Sequence, residues 1–282
     1  RNEHAEPVHY VGQGSDDLDH AVHVALTGEQ GGYYADYADR PARHLARSLA
    51  EGFAYQGEPS PYREGERRGE PSGHLPPVAF VSFLQNHDQV GNRAFGERLT
   101  TLAAEPALRA AVAVQLLAPQ IPLLFMGEPQ GVPTPFLFFC DFGPELAPKV
   151  TEGRRREFAR FPAFADPAVQ ARIPDPMAPE TFAASRPQLP APEVSARWQA
   201  WYTELLGLRR QHVVPLLHGL AGGSILAAED PGAVALDWPH QDGRVLHLRA
   251  ALQDAAVALP RAPGEVLLAV GGEAADLASG RL

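Results

Sequence analysis

Residues 80–93 read FVSFLQNHDQVGNR, an apolar run that stops abruptly at a group of amides, an imidazole and a carboxylate. A short run rich in Val and Phe is typical of a strand that is buried on both faces of a parallel sheet. Parallel α/β folds place their chemistry where such strands end. The stretch therefore predicts an α/β fold class, a strand over Phe80–Leu84 and an active-site carboxylate at Asp88.

A second apolar run has the same kind of ending. The spacing predicts a helix near Pro106–Leu117 and then a strand over Pro122–Met126, directly before Gly127 and Glu128. Strand, helix and strand at this spacing form a βαβ unit, whose two strands are parallel. We therefore expect the polar residues after both strands to line one edge of the sheet and form a cleft.

Apolar spacing and capping residues predict further elements. The predicted helices are Asp16–Gly28, Pro41–Gly52, Glu152–Phe161 and Val194–His212. In the last helix Trp198, Trp201 and Tyr202 follow the period of a core face, so we interpret them as core residues. Residues 56–77 show no periodicity, and a loop of that length is typically a functional lid or a mobile segment.

The character of the chain changes beyond about Leu220. Short apolar runs at Ala233–Trp238, Val245–Ala250 and Glu265–Val270 are separated by Gly, Pro and Asp. This pattern predicts a small antiparallel β domain. We expect one domain over residues 1–219, with a long loop at 56–77, and the β domain over residues 220–282.

Composition excludes several classes of protein. The 282 residues include 24 basic and 34 acidic side chains, and the formal net charge of −10 repels nucleic acids and anionic membranes. The single cysteine, Cys140, excludes an intramolecular disulfide and Cys-rich zinc sites, which fits the cytoplasm. No apolar run approaches the roughly 18 residues of a membrane span. His20 and His23 lack a third ligand at a diagnostic spacing, so no metal site is predicted.

The string Gln85–Arg93, followed by AFGERL, resembles the seventh-strand motif of the maltooligosyltrehalose trehalohydrolases of the α-amylase clan. The Asn-His-Asp triplet alone is shared across that clan, whereas the longer string is much more specific. Other strings that resemble this family are Asp16–Glu29, Gly32–Tyr37, Tyr55–Glu58, Ser60–Arg63, Phe125–Glu128 and Ile173–Pro176. Together they cover most of residues 1–215, and the C-terminal segment resembles the family in character only.

This resemblance implies a (β/α)8 barrel followed by a C-terminal β domain, with the chain covering about barrel strands 6 to 8 and an incomplete β domain. It implies hydrolysis of the α-1,4 bond next to the trehalose unit of a maltooligosyl trehalose, without a cofactor. The family's nucleophilic Asp and acid/base Glu would both precede the first residue, because Arg1-Asn2 resembles the pair just downstream of that Glu. The oligomeric state stays open.

The resemblance also implies roles for individual residues. Asp88 would stabilise the transition state, and His87 would bind a sugar hydroxyl in the cleaved subsite. The substrate-binding candidates are Asp16, Asp17, Asp19, His20, Asn86, His87, Gln89, Val90, Gly91, Asn92 and Glu128. Simpler roles stay open: acids at Asp16–Asp19 favour a helix start, polar side chains at Asn86–Asp88 cap a turn, and Glu128 forms a structural ion pair.

Three departures from the family pattern stand out. Gly14-Ser15 occupies the place of a Trp-Asn pair, Asp19 that of a histidine, and Pro129-Gln130 that of a Glu-Tyr pair. One alternative is another α-amylase-clan enzyme such as a glucan-branching enzyme, against which Ile173–Pro176 and the loop Gln56–Arg68 argue. Another is a catalytically inactive carbohydrate-binding remnant, since both principal catalytic residues are expected outside the chain.

Overall fold

The computed structural model describes residues 9–158, 164, 166–253 and 256–271. The interpretation of Arg1-Asn2 and the end of the predicted helix Glu152–Phe161 lie outside the described residues. The chain divides into two compact units. The first takes its described residues from Arg1–Leu84, Ala103–Leu123 and Trp201–Leu282, and the second from Gln85–Leu102 and Leu124–Ala200.

The described residues form eight strands and nine α-helices. The strands are β1 (Gln13–Gly14), β2 (Glu58–Pro59), β3 (Arg67–Arg68), β4 (Phe80–Ser82), β5 (Ile121–Pro122), β6 (Ser224–Glu229), β7 (Ala233–Pro239) and β8 (Val245–Ala251). The α-helices are α1 (Asp16–Thr27), α2 (Pro41–Glu51), α3 (His87–Gly91), α4 (Leu99–Leu102), α5 (Glu105–Leu117), α6 (Ala147–Phe158), α7 (Pro167–Gln170), α8 (Pro179–Ala184) and α9 (Pro192–Leu208). Short 3-10 helices occur at Gly32–Tyr37, Pro77–Ala79, Glu128–Gln130 and Val214–Leu216.

The first unit contains a parallel sheet with the strand order β1-β4-β5. Val81 is at its centre, since it pairs with Gly14 of β1 and with Ile121 of β5. Phe80 and Ser82, which share one face of β4, are buried, and Val81 on the opposite face is partly buried. Helix α5 lies between β4 and β5 along the chain, so the predicted βαβ unit is confirmed.

Both strands of this unit are shorter than predicted. β4 ends at Ser82, although the next two side chains, Phe83 and Leu84, remain buried. β5 ends at Pro122, so the prediction of a strand that reaches Met126 is wrong. Proline supplies no N–H to a sheet ladder, and Gly127 turns the chain with a positive φ of 88°.

Helix α1 begins and ends close to the predicted residues. It starts at Asp16, but the N-cap position belongs to Ser15, whose hydroxyl donates to the carbonyl of Gly52 at 2.7 Å. Gly28 ends the helix in the left-handed conformation and donates its N–H to the carbonyl of Val24 at 2.9 Å. This is the arrangement that a C-terminal glycine predicts.

The aromatic residues of α9 belong to the interior. Trp198, Trp201 and Tyr202 are between 4% and 6% exposed, so their interpretation as core residues is confirmed. The predicted helix Val194–His212 is divided in the structure, because a π-helical turn at Arg209–Val213 follows α9.

The predicted structureless loop at residues 56–77 contains the small antiparallel hairpin β2–β3, in which Glu58 pairs with Arg68. Its turn is closed by the N–H of Gly65, which donates to the carbonyl of Ser60 at 2.9 Å. The hairpin leaves no periodicity in the sequence because each strand has only two residues. Its role as a lid stays a prediction.

The C-terminal segment forms the predicted antiparallel sheet, with the strand order β6-β7-β8. The central strand is the most buried, and Leu236 of β7 pairs with Ile225 of β6 and Leu248 of β8. The sequence pattern missed β6, because this edge strand is largely exposed and lacks alternation. The predicted strand Glu265–Val270 is wrong, since that segment is irregular and buries no face that would organise a strand.

A buried guanidinium closes the end of α5 in the first unit. Arg209 is 7% exposed and donates to the carbonyls of Leu116 at 2.8 Å, Ala118 at 2.6 Å and Gln120 at 2.6 Å. The last carbonyls of a helix have no intrahelical partner. Arg209 therefore stabilises the turn that leads from α5 to β5.

The second unit contains α3, α4, α6, α7 and α8. Phe158 of α6 packs with Ala94 and Ile173 in a small apolar cluster, which Phe95 and Phe164 cover. This cluster ties α6 to the segment that follows α3. Within the described residues, no helix is long and apolar enough to cross a membrane.

Candidate functional site

The short helix α3 presents the predicted catalytic carboxylate to solvent. Asn86 caps α3, because its side-chain oxygen accepts from the N–H of Gln89 at 2.8 Å. His87 and Asp88 both lie in the first turn and are exposed. Among the described residues, no hydrogen bond or ion pair engages the Asp88 side chain. The capping role left open for this segment thus holds for Asn86 and leaves His87 and Asp88 available to a solute.

Arg154 of α6 holds the end of the same turn. Its guanidinium donates to the carbonyls of Gly91 at 2.7 Å and Arg93 at 2.9 Å. It also lies over the rings of Phe138 at 4.9 Å and Phe158 at 4.6 Å. Arg154 is 6% exposed, so these contacts are formed in the interior. Sequence reasoning missed this residue, because nothing in a charged helix distinguishes an inward arginine.

The other predicted residues of this turn differ in exposure. Val90 and Gly91 are buried, whereas Gln89 and Asn92 are partly exposed. A Cβ atom on Gly91 would lie 3.6 Å from the ring of Phe136, an ordinary packing distance. Sugar binding by the turn residues stays a prediction. Val90 and Gly91 are buried, so they can contribute only through backbone atoms and through the shape of the turn.

Glu128 is an enclosed acid. It is 6% exposed, and one carboxyl oxygen accepts from the side-chain amide of Gln85 at 3.1 Å. The other carboxyl oxygen is buried and has no partner among the described residues. Burial raises the pKa of Glu128 to about 8, against a smaller opposing effect of Gln85 and of Arg98. Glu128 is therefore largely a neutral carboxylic acid near pH 7.

Arg98, the cation whose charge opposes the rise in the pKa of Glu128, forms its hydrogen bonds with backbone carbonyls and not with Glu128. Arg98 donates to the carbonyls of Thr134 at 2.6 Å and Met126 at 2.8 Å, and lies 4.7 Å from the ring centre of Phe125. Burial lowers the pKa of Arg98. No ion pair joins Arg98 to Glu128 in the described part of the chain, so the ion-pair role left open for Glu128 is not formed. A role in substrate binding stays a prediction.

In the first unit Asp17 has a structural task. It is 2% exposed, and its carboxylate accepts from the Tyr37 hydroxyl, from Arg68 at 2.6 Å, and from the backbone N–H groups of Ala54 at 2.8 Å and Tyr55 at 3.2 Å. A carboxylate offers about four acceptor sites. The protein itself thus occupies the hydrogen-bonding capacity of Asp17, and its predicted contact with sugar stays untested.

Asp36 is the second buried carboxylate of this network. It accepts from the Ser60 hydroxyl at 2.6 Å, from the Tyr62 N–H at 2.8 Å and from Arg68 at 3.5 Å. Arg68 also donates to the Tyr37 hydroxyl at 2.8 Å. Burial, followed by the nearby Asp17 charge, raises the pKa of Tyr37. We call Asp17, Asp36, Tyr37 and Arg68 the hairpin anchor, because they hold β3 through Arg68 and the turn of β2–β3 through Ser60 and Tyr62.

The remaining candidates of α1 lie in different environments. Asp16 is exposed, whereas Asp19 is 4% and His20 is 8% exposed. The ring of His20 packs against Tyr33, with centroids 5.0 Å apart, and against Tyr37 at 5.2 Å. Sugar binding by these three residues stays a prediction. Within the described ranges, no group of three or more His, Cys, Asp or Glu side chains could hold a metal ion.

Comparison with known proteins identifies relatives along the whole chain. Residues 221–282 match the family described as Domain of unknown function (DUF3459). A malto-oligosyltrehalose trehalohydrolase of Brevibacterium helvolum is 40% identical over 266 residues, which are 92% of this chain and 43% of that protein. A protein of the same name from Deinococcus radiodurans is 39% identical over 225 residues, or 79% of this chain and 36% of that protein.

A solved structure is also similar. It is provisionally named an alpha amylase, from Salmonella typhimurium, and superposes with a TM-score of 0.89 at 45% identity, covering 100% of this chain and 47% of that one. The chain therefore spans less than half the length of these relatives. The resemblance to trehalohydrolases predicted from the motifs is confirmed, together with a mixed α/β fold that ends in an antiparallel sheet.

Proposed function

We propose, on the basis of this relationship to malto-oligosyltrehalose trehalohydrolases, that the chain is the C-terminal part of a glycoside hydrolase of that activity. The reaction is hydrolysis of the α-1,4-glucosidic bond next to the trehalose unit of a maltooligosyl trehalose, which releases trehalose. The observation that carries the proposal is Asp88. This carboxylate is exposed and unengaged on a turn held by Asn86 and Arg154, within the string Gln85–Arg93.

The chemistry assigns Asp88 a supporting role. Retaining glycoside hydrolysis uses a nucleophilic carboxylate and a proton-donating carboxylic acid about 5–5.5 Å apart, with an oxocarbenium-like transition state. A third carboxylate that is fixed beside the sugar stabilises the developing positive charge without reorganisation. We assign that role to Asp88 and a hydroxyl-binding role to His87. The nucleophile and the acid/base residue are proposed to precede Arg1.

The proposed architecture is part of a (β/α)8 barrel. β1, β4 and β5 would be barrel strands 6 to 8, and residues 220–282 would be an incomplete C-terminal β domain. Support comes from the parallel pairing of these strands in chain order and from the helices α1, α2 and α5 that follow β1 and β4. The partner would be an α-glucan that ends in trehalose, the protein would act in the cytoplasm, and no cofactor would be required.

The substrate-binding residues fall into two classes under this proposal. Asn86, His87, Gln89 and Asn92 expose polar atoms that could meet sugar hydroxyls directly. Buried candidates would act by shaping the site. These are Asp17, Asp19, His20, Val90, Gly91 and Glu128. Asp16 is the one acid in the first turn of α1 that is exposed to solvent.

The test is the substitution Asp88→Asn in the protein made from the complete reading frame. We expect trehalose release from maltotriosyl trehalose to fall at least about 100-fold, the effect typical of removing one electrostatic stabiliser. The control is Glu193→Gln, the same carboxylate-to-amide change on an exposed face of α9. Undiminished release by Asp88→Asn would refute the assignment.

The two alternatives give different products. A glucan-branching enzyme would transfer chains in amylose and release no trehalose from maltotriosyl trehalose. A carbohydrate-binding remnant would bind maltotriosyl trehalose without turnover. If the isolated 282-residue chain released trehalose, the proposed position of the nucleophile before Arg1 would be wrong.

A further inference from the structure

An open, polar surface depression of about 570 Å³, which we call the cavity, lies in the first unit beside α2 and β6. Three arginines of the α2 region, Arg40, Arg43 and Arg47, line it together with the carboxylates of Glu51, Glu58 and Asp230. None of these residues is among the candidates for the glucan site. The cavity therefore contains charged groups that are distinct from the proposed glucan site.

Arg47 is neutralised within the protein. It donates to Glu58 at 2.6 Å and to Glu51 at 3.3 Å. Gln56 donates to both carboxylates. Its backbone N–H donates to Glu58 at 2.6 Å, and its side-chain amide donates to Glu51. Arg47, Glu51 and Glu58 thus form a closed network with one negative charge in excess, so attraction of an anion to the cavity depends on Arg40 and Arg43.

Arg40 and Arg43 are weakly engaged. The side chain of Arg43 is exposed and forms no hydrogen bond or ion pair with any described residue. Arg40 lies 3.5 Å from Asp39, but both side chains are more than half exposed and Asp39 also binds His44 at 2.8 Å. An exposed pair of this kind contributes little free energy. Arg40 can therefore exchange Asp39 for a stronger anion.

Only one carboxylate oxygen of Asp230, which also lines the cavity, accepts a hydrogen bond from the protein. One oxygen of Asp230 accepts from the N–H of Ala42 at 3.0 Å, so the start of α2 already has its acceptor. The second oxygen of Asp230 forms no hydrogen bond or ion pair with a described residue and can accept from a ligand hydroxyl. Ile225 is 37% exposed and lends an apolar surface to the same cavity.

We propose that this cavity binds a phosphate monoester of a small sugar. Arg40 and Arg43 hold the phosphate, because the planar fork of a guanidinium donates two parallel hydrogen bonds to phosphate oxygens. Asp230 accepts from a sugar hydroxyl, and Ile225 contacts the C–H face of the ring. The volume of about 570 Å³ leaves room for a sugar body beside the phosphate group.

The test is calorimetric titration of the protein made from the complete reading frame with glucose 6-phosphate, inorganic phosphate and glucose. We expect glucose 6-phosphate to bind most tightly, phosphate more weakly and glucose not at all. Arg40→Gln and Arg43→Gln should each weaken binding of glucose 6-phosphate about tenfold, as loss of one charged hydrogen-bonding partner does. The matched control is Arg210→Gln, which removes an exposed arginine outside the cavity.

Several results would overturn the proposal. Binding that is as tight in Arg43→Gln as in Arg210→Gln would exclude the arginines as ligands. Equal affinity for glucose 6-phosphate and glucose would make the cavity a neutral sugar site, and equal affinity for inorganic phosphate would remove the sugar from the ligand. Absence of all binding would also refute it. Asp88→Asn should leave binding of glucose 6-phosphate unchanged, so this test is independent of the proposed hydrolase activity.

Discussion

Replacement of Arg209 should be among the most destabilising single changes in the first unit. The side chain is 7% exposed, and its guanidinium holds the carbonyls of Leu116, Ala118 and Gln120 at distances of 2.6 to 2.8 Å. Burial lowers the pKa of Arg209 to about 10, so the group still carries its charge at neutral pH. In Arg209→Met the three carbonyls would lose this donor while the side-chain volume stays similar.

The expected magnitude follows from opposing effects. A hydrogen bond from a charged donor contributes about 1.5–3 kcal/mol, so three bonds would give roughly 5–9 kcal/mol. Methionine avoids the cost of burying a charge, which is several kcal/mol. We therefore expect Arg209→Met to lower the free energy of unfolding by about 3–5 kcal/mol. Arg209→Lys should cost less, about 2 kcal/mol, because one ammonium keeps the charge but cannot reach all three carbonyls.

The measurement is urea unfolding followed by far-UV circular dichroism at pH 7. A shift of the midpoint with an unchanged denaturant slope reports stability alone. Arg210→Met, at the neighbouring exposed arginine, should stay within about 0.5 kcal/mol of the unsubstituted protein. If Arg209→Met and Arg210→Met unfold at the same urea concentration, the three hydrogen bonds do not stabilise the turn and the reasoning fails.

Two further predictions concern Glu128 and Gly52. The pKa of Glu128 is raised from 4.5 to about 8, so between these pH values the folded state holds a proton that the unfolded state has lost. Stability relative to Glu128→Gln should then fall by about 1.4 kcal/mol per pH unit as pH rises through this window, and parallel urea midpoints of the two proteins would contradict it. Gly52→Ala should cost more than about 2 kcal/mol, since φ is 93° and the new Cβ would lie 2.2 Å from the ring of Phe80. Gly57→Ala, at φ 114° with open space around it, is the control for backbone strain alone, and equal melting temperatures would exclude the clash.

The long helices could be predicted from the sequence because their information is local. Gly28 and Gly52 mark the ends of α1 and α2, and the apolar period of α5 fixes its extent to within one residue at its start. The β2–β3 hairpin and the edge strand β6 could not, because a two-residue strand has no period and an exposed strand has no alternation. Detection of a strand from its periodicity therefore fails where the strand is too short to show a period or where neither face is buried.

The sequence predicted the exposed turn of the candidate site, but not the buried contacts that support it. The string around Asp88 identifies an exposed turn, and the alternative of a capping residue correctly describes Asn86. The structural roles of Asp17 and Arg154 could not be predicted from the sequence, because their partners are distant in the chain. Asp17 binds Arg68, 51 residues away, and Arg154 binds Gly91, 63 residues away. A carboxylate in the first turn of a helix has the same sequence signature whether it binds solvent, sugar or a buried guanidinium.

Because of the hairpin anchor, residues 56–70 cannot be replaced by another sequence without changes at Asp17 and Asp36. One guanidinium, Arg68, serves two acids that come from separate segments, Asp17 and Asp36. A chimaera that replaces only the hairpin with a sequence lacking this arginine would leave two interior acids without their shared counter-ion. Engineers who wish to graft a different hairpin must therefore transplant or neutralise all three positions together.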